Sequence, residues 1–131
     1  YDALPILICI DNYRYALMSD ALSKIGFSVD RKNLKLVSQL EICKIVPVID
    51  HCFINGFFYW GNNPTLRWAT NNTKTIRYGR DAGADKGSFV YAKIEARSRK
   101  TDPFMALVAS MTAEGEIKEY IPLTGKCVLV M

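Results

Sequence analysis

The chain has 131 residues, half of them apolar and 23% charged, with a net charge of +4; that is the size of one domain with its own core, so neither a disulfide nor a metal is needed to hold it together. The longest uncharged apolar run, Ala3 to Ile10, falls far short of the ~20 residues a membrane-spanning helix needs. No basic region precedes that run and Asp11 follows at once, so it does not read as a signal peptide and no membrane partner is expected.

In chain order, Leu4 to Ile10 reads as a buried strand. A helix capped by Asp11 or Asn12 follows, with Tyr15, Met18, Ala21, Leu22 and Ile25 at helical spacing and Gly26 as its left-handed C-cap. Phe27 to Val29 reads as a short strand. Residues 30–46 are ambiguous, and a short helix followed by a strand is the expectation. "HCFINGFFYW", residues 51–60, predicts a hairpin around a type I′ turn at Asn55–Gly56. A second hairpin, "TLRWAT" to "KTIRYG", would turn at Asn71–Thr73 and place Arg67 directly across from Arg77. Gly79 to Gly87 reads as a charged loop. Strands at 88–97, 104–111, 116–123 and 127–131 would complete the chain. The expected fold is α+β in a single domain, 1–131. One or two N-terminal helices, mainly within 11–41, would pack on an antiparallel, meander-rich sheet of about seven strands over 45–131.

The charge is unevenly placed. Residues 1–66 are neutral, residues 67–100 carry nine basic groups against three acids, and residues 101–131 carry two against four. The basic block also holds Trp68, Tyr78, Phe89 and Tyr91. Such asymmetry points to a polyanionic partner. Within the predicted strand 88–97, Val90, Ala92, Ile94 and Ala96 fall on one face, and Phe89, Tyr91, Lys93, Glu95 and Arg97 on the other. Outward rings beside cations suit unpaired bases and their phosphates. An Arg67–Arg77 cross-strand pair would repel itself unless an anion sat between the two.

Other chemistry is poorly supported. The cysteines at 9, 43, 52 and 127 form no CxxC pair, which argues against a structural zinc site. Cys9 and Cys127 read as small buried side chains in a reducing compartment, so an intracellular location, cytoplasm or nucleus, is expected. His51 and Cys52, as strand neighbours, would point to opposite faces and could not share a proton.

Asp85, with Glu95 ten residues on and Arg97 two beyond that, locally resembles the PD-(D/E)xK nuclease pattern. That resemblance implies magnesium held by the two acids. No proline precedes Asp85, however, and arginine stands where the family has a titratable lysine. "KGSFVY", residues 86–91, resembles the aromatic strand motif of RNA-recognition domains, two residues short of it and outside that family's βαββαβ order.

The resulting expectation is a non-enzymatic protein that binds single-stranded nucleic acid, RNA ahead of DNA, with low sequence preference. Arg67, Arg77, Arg80, Lys86, Lys93, Arg97, Arg99 and Lys100 would hold phosphates, and Phe89 and Tyr91 would stack on bases. No cofactor, metal or catalytic residue is expected. The apolar content and the strand-like "CVLVM" suggest a homo-oligomer. The alternatives are an oligomeric structural or interaction subunit without a nucleic-acid role and, behind it, a metal-dependent nuclease. Because the chain opens on Tyr1 and closes on that strand, it reads as a processed product or an excised domain.

Overall fold

The computed structural model describes residues 7–59, 61–79 and 88–117. β1 (Ile8–Asp11) leads through α1 (Tyr15–Lys24) to β2 (Leu34–Val37), and the two strands pair in parallel, Ile8 beside Leu34 and Asp11 beside Val37. Parallel neighbours need a crossover, and α1 supplies it. Gly26, at φ +94°, ends α1 as expected from its position. The Gly26 and Phe27 amides donate to Ser23 and Leu22, the two reversed bonds of a Schellman motif. That turn drops Phe27 into a small core with Leu22 and Leu34. The expected strand at 27–29 is absent, and the expected cap is replaced: Arg14 holds the N-cap position without a side-chain bond.

The larger correction begins at residue 34. Strand precedes helix there, the reverse of the expected order, and α2 runs from Gln39 to Ile54. Ser38 and Glu41 close a reciprocal capping box at its start, satisfying two otherwise orphan amides. Ile42, Val46 and Ile49 then bury one stripe at spacings of four and three. Pro47 sits inside the helix, removing one donor.

The Asn55–Gly56 turn is the C-terminus of α2 and not a hairpin. Gly56 and Phe57 donate to Phe53 at 3.2 Å and Cys52 at 2.9 Å, again a Schellman pair, with Gly56 at φ +65°. The same dipeptide serves either turn because both need a residue at positive φ. Gly56→Val should therefore still destabilise, by about 1–2 kcal/mol, since a β-branched residue resists this backbone region whatever space surrounds it. An unchanged urea midpoint would contradict this.

The second expected hairpin is also overturned. Asn63 caps α3 (Pro64–Asn71), accepting the Leu66 amide at 3.1 Å, with proline in the first turn where its missing N–H costs nothing. β3 (Thr73–Arg77) pairs antiparallel with β4 (Phe89–Lys93), which stops four residues short of the expected strand end. The segment expected as a strand at 104–111 is α4 (Asp102–Met111), followed by the single turn α5 (Glu114–Ile117). Phe104, Leu107 and Val108 form its buried stripe. Among the described residues, then, two sheets of two strands each replace the seven-strand meander, and helices supply most of the core. The parts of the expected strands at 4–10 and 116–123 that fall in residues 4–6 and 118–123, the strand at 127–131 and nearly all of the 79–87 loop lie outside the described residues.

The main core gathers Ile42, Val46 and Ile49 of α2, Ala69 of α3, Val90 of β4 and Phe104, Leu107 and Val108 of α4 around Val37. Each such aliphatic or aromatic side chain contributes roughly 1.5–3 kcal/mol on burial. Lys35 ties β2 to the helices on either side. Its ammonium donates to the Thr112 carbonyl at 2.9 Å and Glu116 at 2.7 Å, and pairs with the capping Glu41 at 3.3 Å. Burial alone would lower its pKa, but the hydrogen bonds to Glu116 and Glu41 outweigh that and hold it above the usual lysine value. No described helix is long and apolar enough to cross a membrane.

Candidate nucleic-acid interface

The expected interface residues that are described scatter over α3, β3, β4 and the segment after β4. Arg67 lies on α3, exposed, its guanidinium donating to the Asn62 side chain. Arg77 ends β3 opposite Phe89, so the Arg67–Arg77 cross-strand pair does not exist. A helix holds one arginine and a strand the other, so no cross-strand repulsion arises between them. Arg80 and Lys86 lie outside the described residues, as does Asp85.

The ribbon register sets Thr73 beside Lys93, Thr75 beside Tyr91 and Arg77 beside Phe89. Opposed residues share a face, so Arg77, Phe89, Tyr91 and Lys93 do occupy one side of the ribbon. It is not an open platform. Phe89 and Tyr91 are half-buried against the main core. The Tyr91 ring meets Phe104 edge-on at 5.0 Å between centroids, and its hydroxyl donates to Asp50 Oδ1 at 3.4 Å. Burial, with the Asp50 carboxylate beside it, pushes the Tyr91 hydroxyl far above the usual phenol range. α2 and α4 cover this ring because their own apolar stripes converge there. Trp68 and Tyr78 are the rings of the basic block that stand exposed.

What the structure does bring together is a loop. Between β4 and α4, residues 94–100 leave the ribbon and return to start the helix, and Arg97, Arg99 and Lys100 are all exposed on it. Asn72, only 3% exposed at the C-cap of α3, clamps both ends: its carbonyl accepts the Ile94 amide at 2.8 Å and its side chain donates to the Lys100 carbonyl at 3.2 Å. Inside the loop, Glu95 accepts the Ser98 hydroxyl at 2.6 Å and pairs with Arg99 at 3.6 Å. Glu95 is therefore a turn residue engaged with its own loop, and the strand-borne acid of the nuclease pattern is not present. Nothing in the sequence pattern marked Asn72 as the clamp, since its partners lie 22 and 28 residues away.

The loop runs into α4, whose Met105 and Ala109 form one wall of a crevice of about 600 Å³. The opposite wall is the carboxyl end of the parallel sheet: Asp11 from β1, then Val37 and Ser38 where β2 meets α2. Crevices in this position are the usual ligand sites of parallel strands. Asp11 accepts the Tyr13 amide at 2.9 Å and is exposed. Asp102 begins α4 two turns before Ala109 and is exposed, beyond the residues that line the crevice. Among the described residues no group of three or more His, Cys, Asp or Glu is placed to hold a metal.

Among the described residues the thiols and the histidine form no hydrogen-bonded pair. Cys9, Cys43 and Cys52 are free and half-buried, and burial raises the thiol pKa of Cys9 and Cys43, away from nucleophilic use. Cys127 lies outside the described residues. His51 sits in the last turn of α2 against Asn55 and the edge of Phe57. It and Cys52 are helix neighbours, which diverge by about 100° rather than alternating as in a strand.

Fold and site together define a small α+β domain: a βαβ unit packed through helices on a two-stranded ribbon, with a clamped basic loop leading into α4 and a crevice at the carboxyl end of the parallel strands. No family model, curated protein or solved structure compared with the chain matches it.

Proposed function

We propose that this protein binds single-stranded nucleic acid with little sequence preference and holds its phosphates on the loop between β4 and α4. The observation that carries the reading is the buried Asn72, which fixes both ends of a loop exposing Arg97, Arg99 and Lys100. A clamped loop presents its cations without the entropy cost of ordering them on binding. Lys93 adds a cation at the ribbon end of the loop, while Arg77 lies at the far end of the ribbon and Arg67 on α3. Arg99 is partly committed to Glu95, so Arg97 and Lys100 are the stronger phosphate ligands. Self-association belongs to the same proposal, supported by the exposure of Ile54, Phe57 and Tyr59.

Phosphate contacts make affinity fall with salt, by about 0.7 log units per log unit of salt for each contact on a single strand. Arg97→Ala with Lys100→Ala should therefore weaken binding for all sequences alike and flatten that slope by about 1.4. Affinity measured by fluorescence anisotropy that ignores salt would sink the reading.

One observation favours a second reading, metal-dependent cleavage of the bound strand. Asp11, at the carboxyl end of β1, lines the crevice between the parallel sheet and α4, the helix into which the basic loop leads. Magnesium commonly needs only one or two carboxylates, with waters and substrate phosphates completing its shell. Asp11→Asn should abolish magnesium- or manganese-dependent cleavage of a labelled strand while leaving loop binding intact. Cleavage undiminished by that substitution would exclude Asp11 from the chemistry.

A further inference from the structure

The outer edge of β3 is open. The Tyr78 amide donates to the Ser88 carbonyl and the Ile94 amide to that of Asn72, so within the ribbon the hydrogen-bonded pairs are Lys74 with Ala92 and Ile76 with Val90. By alternation, Thr73, Thr75 and Arg77 turn their amides and carbonyls away from β4. Residues 74–77 are all exposed, and among the described residues no backbone group bonds to Thr73 or Thr75 from that side. We propose that a second copy of this chain pairs with this edge, antiparallel, about a two-fold axis at Thr75, and joins two ribbons into one four-stranded sheet. This interface makes the self-association proposed above specific, and it does not depend on nucleic acid.

The sequence of β3 is self-complementary in that register. Thr75 meets Thr75 of the second copy and exchanges two backbone bonds with it, and Thr73 falls opposite Arg77. Lys74 falls opposite Ile76, so no two cations are directly paired, and all five residues of the strand are used. Sliding one way by a residue would set Lys74 against Lys74, which costs stability. Sliding the other way carries Thr73 past Arg77 to Gly79, where a φ of +108° ends the extended backbone.

Charge favours a second copy over any other strand. Opposed residues share a face, so Arg77 of the second copy lies on the side of the sheet that carries Thr73, Thr75 and Tyr91. On that side α2 borders a cavity of about 400 Å³ whose lining includes Asp50, Thr73, Thr75 and Tyr91. Asp50 is exposed, and among the described residues no cation is paired with it. The second copy brings a guanidinium to this carboxylate, and the two-fold axis repeats the pair. A guanidinium has five donors, so Arg77 keeps its contacts within its own chain. Ile54, 84% exposed, follows Asp50 by one helical turn and adds apolar surface on the same face of α2.

The test uses the whole chain in sedimentation equilibrium from micromolar to millimolar concentration, where a species of twice 14.8 kDa is expected. Thr75→Pro removes an outward N–H and no bond of the ribbon itself, so its melt in dilute solution should stay close to that of the unmodified chain. Both copies lose the donor, and the dimer dissociation constant should rise about tenfold or more. Arg77→Glu sets acid against Asp50 and should also raise it about tenfold. Arg77→Glu combined with Asp50→Arg should return it to within about threefold, a rescue that does not depend on how the proline is tolerated. A chain that stays monomeric at millimolar concentration overturns this interface and self-association together, leaving phosphate binding on the loop untouched. A dimer indifferent to Thr75→Pro, or one that the charge exchange fails to restore, overturns the edge pairing alone.

Discussion

Phe104→Ala should lower folding stability by about 3–5 kcal/mol, a large share of the roughly 5–15 kcal/mol a domain of this kind has. The ring is 2% exposed and enters the core in the first turn of α4, where helix, ribbon and α2 meet. It contacts Tyr91 edge-on at 5.0 Å and lies 6.4 Å from Phe53. Three elements cannot all shift to fill its place, so most of the lost volume would persist as a cavity. Leu17→Ala offers the control. That side chain is 78% exposed on α1 and should cost no more than about 0.5 kcal/mol. Urea denaturation of the two variants side by side checks both, and a Phe104→Ala midpoint near that of Leu17→Ala would refute the core described here.

Tyr91→Ala should cost about 2–3 kcal/mol, below the full value for a fully buried ring because part of this one reaches solvent. An outward stacking residue would behave in the opposite way, leaving stability intact. Tyr91→Phe separates the ring from its hydroxyl. The 3.4 Å bond to an exposed Asp50 is long, so its loss should cost well under about 1 kcal/mol. A melt in which alanine and phenylalanine behave alike would show that the ring is not packed on Phe104.

Much of the local information was present in the sequence and was outweighed by a competing pattern. Ser38 and Glu41 spell a capping box ahead of an apolar run, and Asn63–Pro64 is a helix start. Thr101-Asp102-Pro103 is another, followed by apolar residues at 104, 107, 108 and 111. The α2 segment is also rich in β-branched and aromatic residues, so alternation fits it nearly as well. Asn55–Gly56 is the clearest case: positive φ was legible at Gly56, but whether it closes a hairpin or a helix depends on the sixteen residues before it.

By itself the sequence determined the βα start of the chain, the left-handed glycine after α1, the antiparallel partnership available to β4 only in part, and the concentration of basic groups in residues 67–100. Those features are set by neighbours in the chain: periodicity, a residue without Cβ, the order of charges. The tertiary structure alone decided that Tyr91 is covered, that Arg67 and Arg77 part company, that Asn72 clamps the loop at 94–100 and that Asp11 meets the α4 wall of a crevice. Each of these turns on residues ten or more positions apart. Such contacts follow from which apolar stripes pack together, and a single sequence contains many near-equivalent stripes but no record of their pairing.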